Sequence, residues 1–330
     1  MDQPARPPPD SVAFNRARLV HTVVAGQVAN HVLRGHPYRI GRSGRVYILP
    51  GSGGISLNVR VGDRAVGLAG DHVEPGASLR NNDREVVGGR DGANRAFMAL
   101  SCVGNRATVL TGPAAGARGV VTGKHGGINH VLVDFPPEVL RTLRIGDRMG
   151  VEAVGQGMRL RDHPSVTCLN LSPRLLRRWG LRSHGRHLHV PVSHLVPASL
   201  LGSGLGRSDG VLGDCDVELT NPTLRDRHRL GSLRLGDLVA VWPATFAKGP
   251  SKQAAMVTIG VVVHSDSGVA GHGPGVTPLL MGPMEILRPM YSARANLALR
   301  LGLRTQIHSV PDPEPEEREL WRAAAHGRLP

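Results

Sequence analysis

Aromatic residues make up only 3% of this chain, so its core must rest on Val, Leu, Ile, Ala and Met. The stacking platforms of single-stranded nucleic-acid binders are correspondingly too few and too scattered. Lysine is also rare: Lys124, Lys248 and Lys252 are the only lysines among 40 Lys and Arg residues. The arginines behind the net charge of +14 are spread through every region. That spread weakens the argument for a polyanionic partner that such a charge would otherwise make. Cys102, Cys168 and Cys215 are odd in number, far apart and without C-x-x-C spacing, as suits a reducing cytoplasm. No apolar run is long enough to span a bilayer, and the first residues, MDQPARPPPD, lack the apolar segment of a secretory signal. A soluble cytoplasmic protein with no membrane partner is expected.

Glycine, in contrast, is abundant at 43 residues. It is costly inside helices and useful in turns, so many short strands fit better than long helices. A chain of 330 residues is long enough for two domains of roughly 100 to 200 residues each. The expected fold is mainly β, with barrel-like or sandwich sheets of short strands joined by Gly-rich turns. The expected divisions are a disordered Pro-rich head at 1–15, an N-terminal β domain at 16–160, a C-terminal β-rich domain at 161–288, and a helical and linker tail at 289–330. Strands are read at 18–27, at 45–50 and, from clean alternation, at 55–61 (ISLNVRV). An apolar residue followed by Gly-Asp recurs at 61–63, 145–147 and 235–237, and these aspartates are read as structural turn residues. Residues 80–95 read as a mobile excursion. Ser172, Pro173 and Gly180 delimit a helix as N-cap, first residue and stop. Helical periodicity returns at 291–304 and 316–326.

Three stretches are dense in chemistry. In GKHGGINHVLVDF (123–135) an extended run puts His130, Leu132 and Asp134 on one face, and the glycine pair lets His125 fold back over it. Imidazole and carboxylate in that combination suit a borderline metal or a proton-transfer pair in which Asp134 orients a histidine. In AGDHVEP (69–75) an extended backbone places His72 and Glu74 together, with Asp71 opposite. In TIGVVVHSDSGVAGHGPG (258–275) alternation aligns His264 with Asp266, and a glycine loop brings His272 near. His-Ser-Asp there is no serine-hydrolase triad, because adjacent strand residues face opposite ways and no G-x-S-x-G elbow is present. The loop GSGLGRSDGVLGDCD (202–216) has neither dinucleotide-fold nor P-loop spacing, so no nucleotide cofactor is expected. Ser203 and the Gly204 amide suit an anion, and Asp214 with Asp216 a hard cation. His187 and His189 share a strand face and read as surface residues.

Taken together, GISLNV (54–59), AGDHVEPG (69–76), LSCVGN (100–105), TGKHGGINHVLV (122–133), GQGMRLRDHP (155–164), LGSGLG (201–206) and GVVVHSDSGVAGHGPGVT (260–277) resemble the prokaryotic family of domain of unknown function 4438. The resemblance implies a β-rich cytoplasmic protein with N- and C-terminal domains and no established activity. Its motifs coincide with the three histidine and carboxylate clusters.

The function expected first is a metal-dependent hydrolase of an amide or related C–N bond in a small molecule. Its candidate catalytic residues are His125, His130, Asp134, His264 and Asp266. Candidate ligands for a divalent ion (zinc, manganese or calcium) are His72, Glu74, His130 and His272, and candidate substrate contacts are Gly126, Gly127, Asn129, Ser203, Gly204 and Gly273. A metal-free lyase or isomerase would use the same histidines. The rival is a nucleic-acid-binding module, since the glycines at 112, 116 and 119 resemble the turns of small SH3-like barrels of the KOW type. A homo-oligomer is expected. The decisive geometric expectation is that His72, His130 and His272, far apart in the chain, line one cleft.

Overall fold

A computed structural model describes residues 12–33, 38–83, 86–87 and 90–329; residues 1–11 of the Pro-rich head lie outside the described residues. The fold is mainly β, as composition predicts. Its N-terminal part is a closed barrel of six strands: β1 (Thr22–Val28), β2 (Ala77–Arg80), β3 (Arg106–Val109), β4 (Arg118–His125), β5 (His130–Asp134) and β6 (Arg148–Ala153). Around the barrel they run β1-β6-β3-β4-β5-β2, all pairs antiparallel. Closure removes the unpaired edges that a short-stranded sheet would otherwise expose. The interior is filled by Val28, Leu79, Val109, Val121, Val131, Val133 and Val151. Each such aliphatic side chain contributes roughly 1.5–3 kcal/mol when fully buried. Phe97 on the helix Gly92–Leu100 packs on the barrel where Gly26 leaves room for its ring. The KOW-like segment at 107–121 is therefore part of β3 and β4 in this barrel and not a separate module.

The C-terminal part is a mixed sheet. Its strands are β7 (Thr167–Cys168), β8 (His194–Pro197), β9 (Cys215–Asp216), β10 (Leu238–Trp242), β11 (Met256–Val262) and β12 (Gly275–Pro283), ordered β7-β12-β11-β10-β8, with β9 also paired to β12. The helix Pro173–Arg178 forms as read: the Ser172 side chain accepts from the Leu175 amide at 3.1 Å, and Leu175, Leu176 and Trp179 are buried. The tail helix spans Pro315–Ala325 and sends Trp321 and Ala324 into the same core.

The three Gly-Asp turns are structural, and their chemistry is fuller than the pattern suggested. Each is Arg-x-Gly-Asp, and each aspartate accepts from the amide of the arginine three residues earlier: Asp63 from Arg60, Asp147 from Arg144 and Asp237 from Arg234, at 2.8–2.9 Å. The glycines take φ of 100°, 89° and 81°, a conformation that L side chains avoid.

Several expected elements differ. Residues 55–61 are not a strand, because β2 pairs with β1 and β5 and leaves only the bridge Ile55↔Ala77. Residues 92–100 of the expected excursion and just beyond it form the helix capped by Asp91, whose side chain accepts from Asn94. Tertiary packing of Phe97 and Met98 supplies what local propensity lacks. Within 291–304 only Leu297–Arg300 is helical. Residues 12–15, included in the expected head, are pinned against 157–161 through Asn15 and Arg161.

Candidate functional site

The site lies where the β4–β5 hairpin of the barrel meets the end of the C-terminal sheet. Two close approaches set that junction. Gly126 and Gly213 touch backbone to backbone, so that a Cβ on Gly213 would sit 2.4 Å from the Gly126 Cα. The Thr277 hydroxyl donates to the Lys124 carbonyl at 2.8 Å. Register does the rest: β9 pairs Asp216 with Gly275, and the Val263 amide bonds the Gly275 carbonyl. His264 therefore leaves β11 beside Asp214 and Asp216. A Cβ on Gly275 would lie 1.8 Å from Asp214 Oδ2 and 2.3 Å from His264 Nε2, so this position must be glycine for the two groups to meet.

Residues 71–74 and 264–267 are zipped together by backbone bonds, Ser265 to Val73 and His72 to Asp266. The expectation that 69–75 is extended does not hold, since His72 adopts φ of 57°. That left-handed turn, uncommon for a residue with a Cβ, brings Asp71 alongside His72 instead of onto an opposite face. The three stretches do converge, but of the three histidines expected in one cleft only His72 and His272 line it, and His130 stands behind, on Glu74. The His72 ring lies 5.9 Å from His125, 5.0 Å from His264 and 5.2 Å from His272, and the His125 and His264 rings are 4.2 Å apart.

The orientation of these rings follows one rule. His125 Nδ1 is bonded to Glu74 Oε1 at 2.5 Å, His72 Nδ1 to Asp71 Oδ1 at 3.1 Å, His264 Nδ1 to the Ser265 carbonyl at 2.9 Å and His272 Nδ1 to the Ala270 carbonyl at 3.2 Å. An imidazole whose Nδ1–H donates to an oxygen presents Nε2 with a free lone pair, the arrangement in which carboxylates and carbonyls orient metal-ligating histidines. His264 Nε2 stands 2.7 Å from Asp214 Oδ2, yet neither atom has an aligned hydrogen-bond partner. The two groups make an ion pair when His264 is protonated. Nitrogen and oxygen atoms of His125, Asp214 and His264 lie within 4.8 Å of one another, as do those of His72, Asp216 and His272. Either set could hold a metal ion.

Glu74 and His130 form the layer behind. Glu74 is buried, accepts from His125, from His130 Nδ1 at 3.0 Å, from the Gly53 amide at 2.6 Å and from the Ser78 hydroxyl at 2.5 Å. Burial alone would raise its pKa, but the His130 and His125 imidazoles outweigh it and hold the carboxyl well below the usual range. Burial, with His264 nearby, lowers the His125 pKa and keeps this ring neutral, as a ligand must be. His72 and His264 go the other way. Burial pulls both down, but Asp216 and Asp71 around His72, and Asp214 and Asp216 around His264, prevail and raise them.

Of the predicted residues, His72, His125, His264 and His272 line the centre. Glu74 and His130, expected as ligands, stand one layer back as orienting groups, because Glu74 already spends both oxygens on neighbours. Asp134 lies apart: it shares the face of His130, but Arg60 holds it through contacts of 3.1 and 2.7 Å. Asp266 also turns away, its carboxylate accepting from the Gly67 amide at 3.2 Å. Gly126, Gly127, Ser203 and Gly204 line the pocket of about 130 Å³ over the centre. The Gly273 amide lies 3.4 Å from Asp216 Oδ2. Asn129 is exposed in the hairpin turn, its carbonyl bonded to Asn94. His187 and His189 sit on a separate hairpin. Asp214 and Asp216 were legible only as an isolated cation pair, and nothing in the local pattern joined them to the histidines. Asp71, expected on the opposite face, holds His72, and Ser267 and Arg39, which carried no local signal, hold Asp71 in turn.

Models of a domain of unknown function, DUF4438, match the chain in two parts, N-terminal over 38–177 and C-terminal over 178–301. The chain belongs to the DUF4438 family. The junction between the two matched parts falls in the helix Pro173–Arg178, after the barrel and before most of the C-terminal sheet. A solved structure described as "Crystal structure of TM1086" is similar to this DUF4438 chain, with 41% identity and a TM-score of 0.81, covering 87% of this chain and 98% of that one. Comparison with curated proteins finds no match. Among the described residues, no helix is long and apolar enough to cross a membrane.

Proposed function

We propose that this DUF4438 protein is a metal-dependent hydrolase acting on an amide or related C–N bond of a small molecule. The observation that carries the proposal is the convergence of three buried side chains, His125, Asp214 and His264, whose nitrogen and oxygen atoms lie within 4.8 Å of one another, with His125 Nδ1 held by Glu74. Two imidazoles and one carboxylate are the ligand set of open catalytic zinc sites, which keep a position for water. A divalent ion there would polarise a carbonyl and acidify its water. The chain supplies the rest. The Gly126 amide fixes Asp214 Oδ1 at 2.6 Å, Glu74 fixes His125, and the Ser265 carbonyl fixes His264. The pocket above the centre has room for a small group only. Arg39 and Arg207 at its rim suit a substrate that carries a carboxylate or similar anion.

One observation favours a second reading. His264, raised by Asp214 and Asp216, would be an imidazolium if no ion is bound, and with His72 it would supply acid–base chemistry to a lyase or isomerase. Elemental analysis of protein purified without a histidine tag separates the two. A bound divalent ion, lost in His264→Ala together with turnover of small amides, lactams or ureides, is the expected outcome. No bound ion, with no change in melting temperature on adding zinc, manganese or calcium, would overturn the metal reading in favour of the acid–base one.

A further inference from the structure

We propose that the centre is dinuclear, with a second divalent ion held by His72, Asp216 and His272 and with the Asp216 carboxylate bridging the two ions. The proposal rests on the metal reading above and adds to it a second site and a shared ligand.

The two triads are not separate pockets. Asp216 Oδ2 stands 3.3 Å from His72 Nε2, and Asp216 Oδ1 stands 3.5 Å from His264 Nε2. The two oxygens of one carboxylate thus divide between the two sets. The first contact is a hydrogen bond in the metal-free site and the second is long for one. They match the separation of about 3.3 Å between two ligand atoms of a tetrahedral ion bound at 2.0–2.1 Å. A carboxylate spanning two such ions fits the separation of roughly 3.5–4 Å found in two-metal hydrolytic sites.

His72 and His272 are prepared like the inner ligands. Asp71 holds His72 Nδ1, and Asp71 is itself fixed by the Ser267 hydroxyl at 2.5 Å and by Arg39 at 3.3 Å. The Ala270 carbonyl holds His272 Nδ1. His72 reaches the centre only through its left-handed backbone, a cost that folded chains bear mostly at functional positions.

Charge points the same way. Asp71, Glu74, Asp214 and Asp216 are all buried, and among the described residues the guanidinium paired with any of them is Arg39, on Asp71 at the rim. With Arg39 set against Asp71, three negative charges remain: one divalent ion leaves one of them uncompensated unless histidines take up protons, whereas two compensate all three and leave one positive charge for a hydroxide or an anionic substrate, and uncompensated buried charge is expensive. In use, two ions would hold the attacking and the leaving atoms of a hydrolysed bond from both sides.

The test is metal stoichiometry on the full chain. Untagged protein stripped with a chelator is titrated with Zn²⁺ and, separately, Co²⁺, following heat and Co²⁺ absorption, with elemental analysis after desalting. Two equivalents per chain are expected, with weak magnetic coupling between the Co²⁺ ions. The variant His272→Ala, altering a half-buried side chain in a loop, should retain one equivalent and lose the coupling. Saturation of the wild type at one equivalent would overturn the dinuclear proposal and leave the single-ion reading standing. No binding at all would overturn both. Two equivalents retained in His272→Ala would remove His272, and the outer site as drawn, from the proposal.

Discussion

Arg234 with Asp237, and His264 with Asp214, are two pairs of buried groups in the C-terminal half, 2.8 and 2.7 Å apart. The first pair has its hydrogen-bonding capacity filled. Asp237 accepts from the Arg234 side chain, from the Arg234 amide and from Asn296, and the guanidinium also reaches the carbonyls of His308 and Ala293. Every guanidinium nitrogen has a destination, so the pair locks the Arg-x-Gly-Asp turn to the segments at 293–296 and 308. The second pair is equally deep, yet Asp214 Oδ2 and His264 Nε2 have no aligned partner. Burial and proximity are shared. The first pair is closed off by its neighbours, whereas the second has more acid–base groups around it: the His125 ring centroid is 4.2 Å from that of His264, and Asp216 Oδ1 is 3.5 Å from His264 Nε2.

The sharpest way to break this comparison is Asp237→Ala. It leaves the Arg234 guanidinium, 1% exposed, without its counter-charge, and a loss of about 3–5 kcal/mol is expected in urea or thermal unfolding. A loss below about 1 kcal/mol would remove the structural half of the contrast. Asp214→Asn tests the other half. Asn keeps an oxygen for the Gly126 amide, so the metal-free protein should hold its stability within about 1 kcal/mol. Its metal affinity should fall more than about 100-fold, or beyond about 2.7 kcal/mol. Calorimetric titration beside unfolding curves reads both numbers; a large stability loss with binding intact would make Asp214 structural.

Glu74→Gln sharpens the comparison by acting one layer back. It removes the charge that orients His125 and His130 without removing a proposed ligand, and a 10- to 100-fold loss of metal affinity is expected. Unchanged affinity would mean that backbone geometry alone aims these rings.

The smallest effect concerns pH. His228 is buried beside Trp242, with ring centroids 5.5 Å apart, and burial lowers its pKa to about 4. The unfolded chain binds the proton first, near pH 6.5. His228 therefore costs no stability above that value, and stability falls as pH drops from about 6.5 toward 4. Between pH 7.5 and 6 the loss is at most about 0.8 kcal/mol, reduced further by solvent screening. His72 and His264, raised in the folded chain, have the opposite sign: in metal-free protein their contribution is present below about 6.5 and fades as pH rises. Denaturation midpoints of metal-free wild type and His228→Asn should differ in slope over that window. Parallel slopes would show that His228 does not titrate on unfolding.

The histidines were legible because glycine-flanked His and carboxylate clusters are local patterns. The hairpin at 123–135 was readable in detail: alternation puts Val131 and Val133 inside the barrel and His130 outside it, and His125 pairs with His130 across the turn. Asp134 was misplaced by the same logic, since a shared face says nothing about a position four residues along the strand, where Arg60 is waiting. The strand reading of 55–61 failed for a related reason: alternation assigns faces but does not supply a partner edge.

By itself the sequence determined the β-rich class, through glycine abundance and β-branched runs, and the capped helix after Ser172. It also determined the three Gly-Asp turns and which stretches carry imidazole and carboxylate. Only the tertiary structure decided that those stretches meet. The pairing of Asp216 with Gly275, the contact of Gly126 with Gly213 and the left-handed turn at His72 are long-range or strained features that no local periodicity encodes. They turn Glu74 and His130 from expected ligands into orienting groups and bring Asp214 and Asp216 to the centre. A side chain's type is written locally, whereas the direction of its lone pair depends on which distant atom takes its other hydrogen bond.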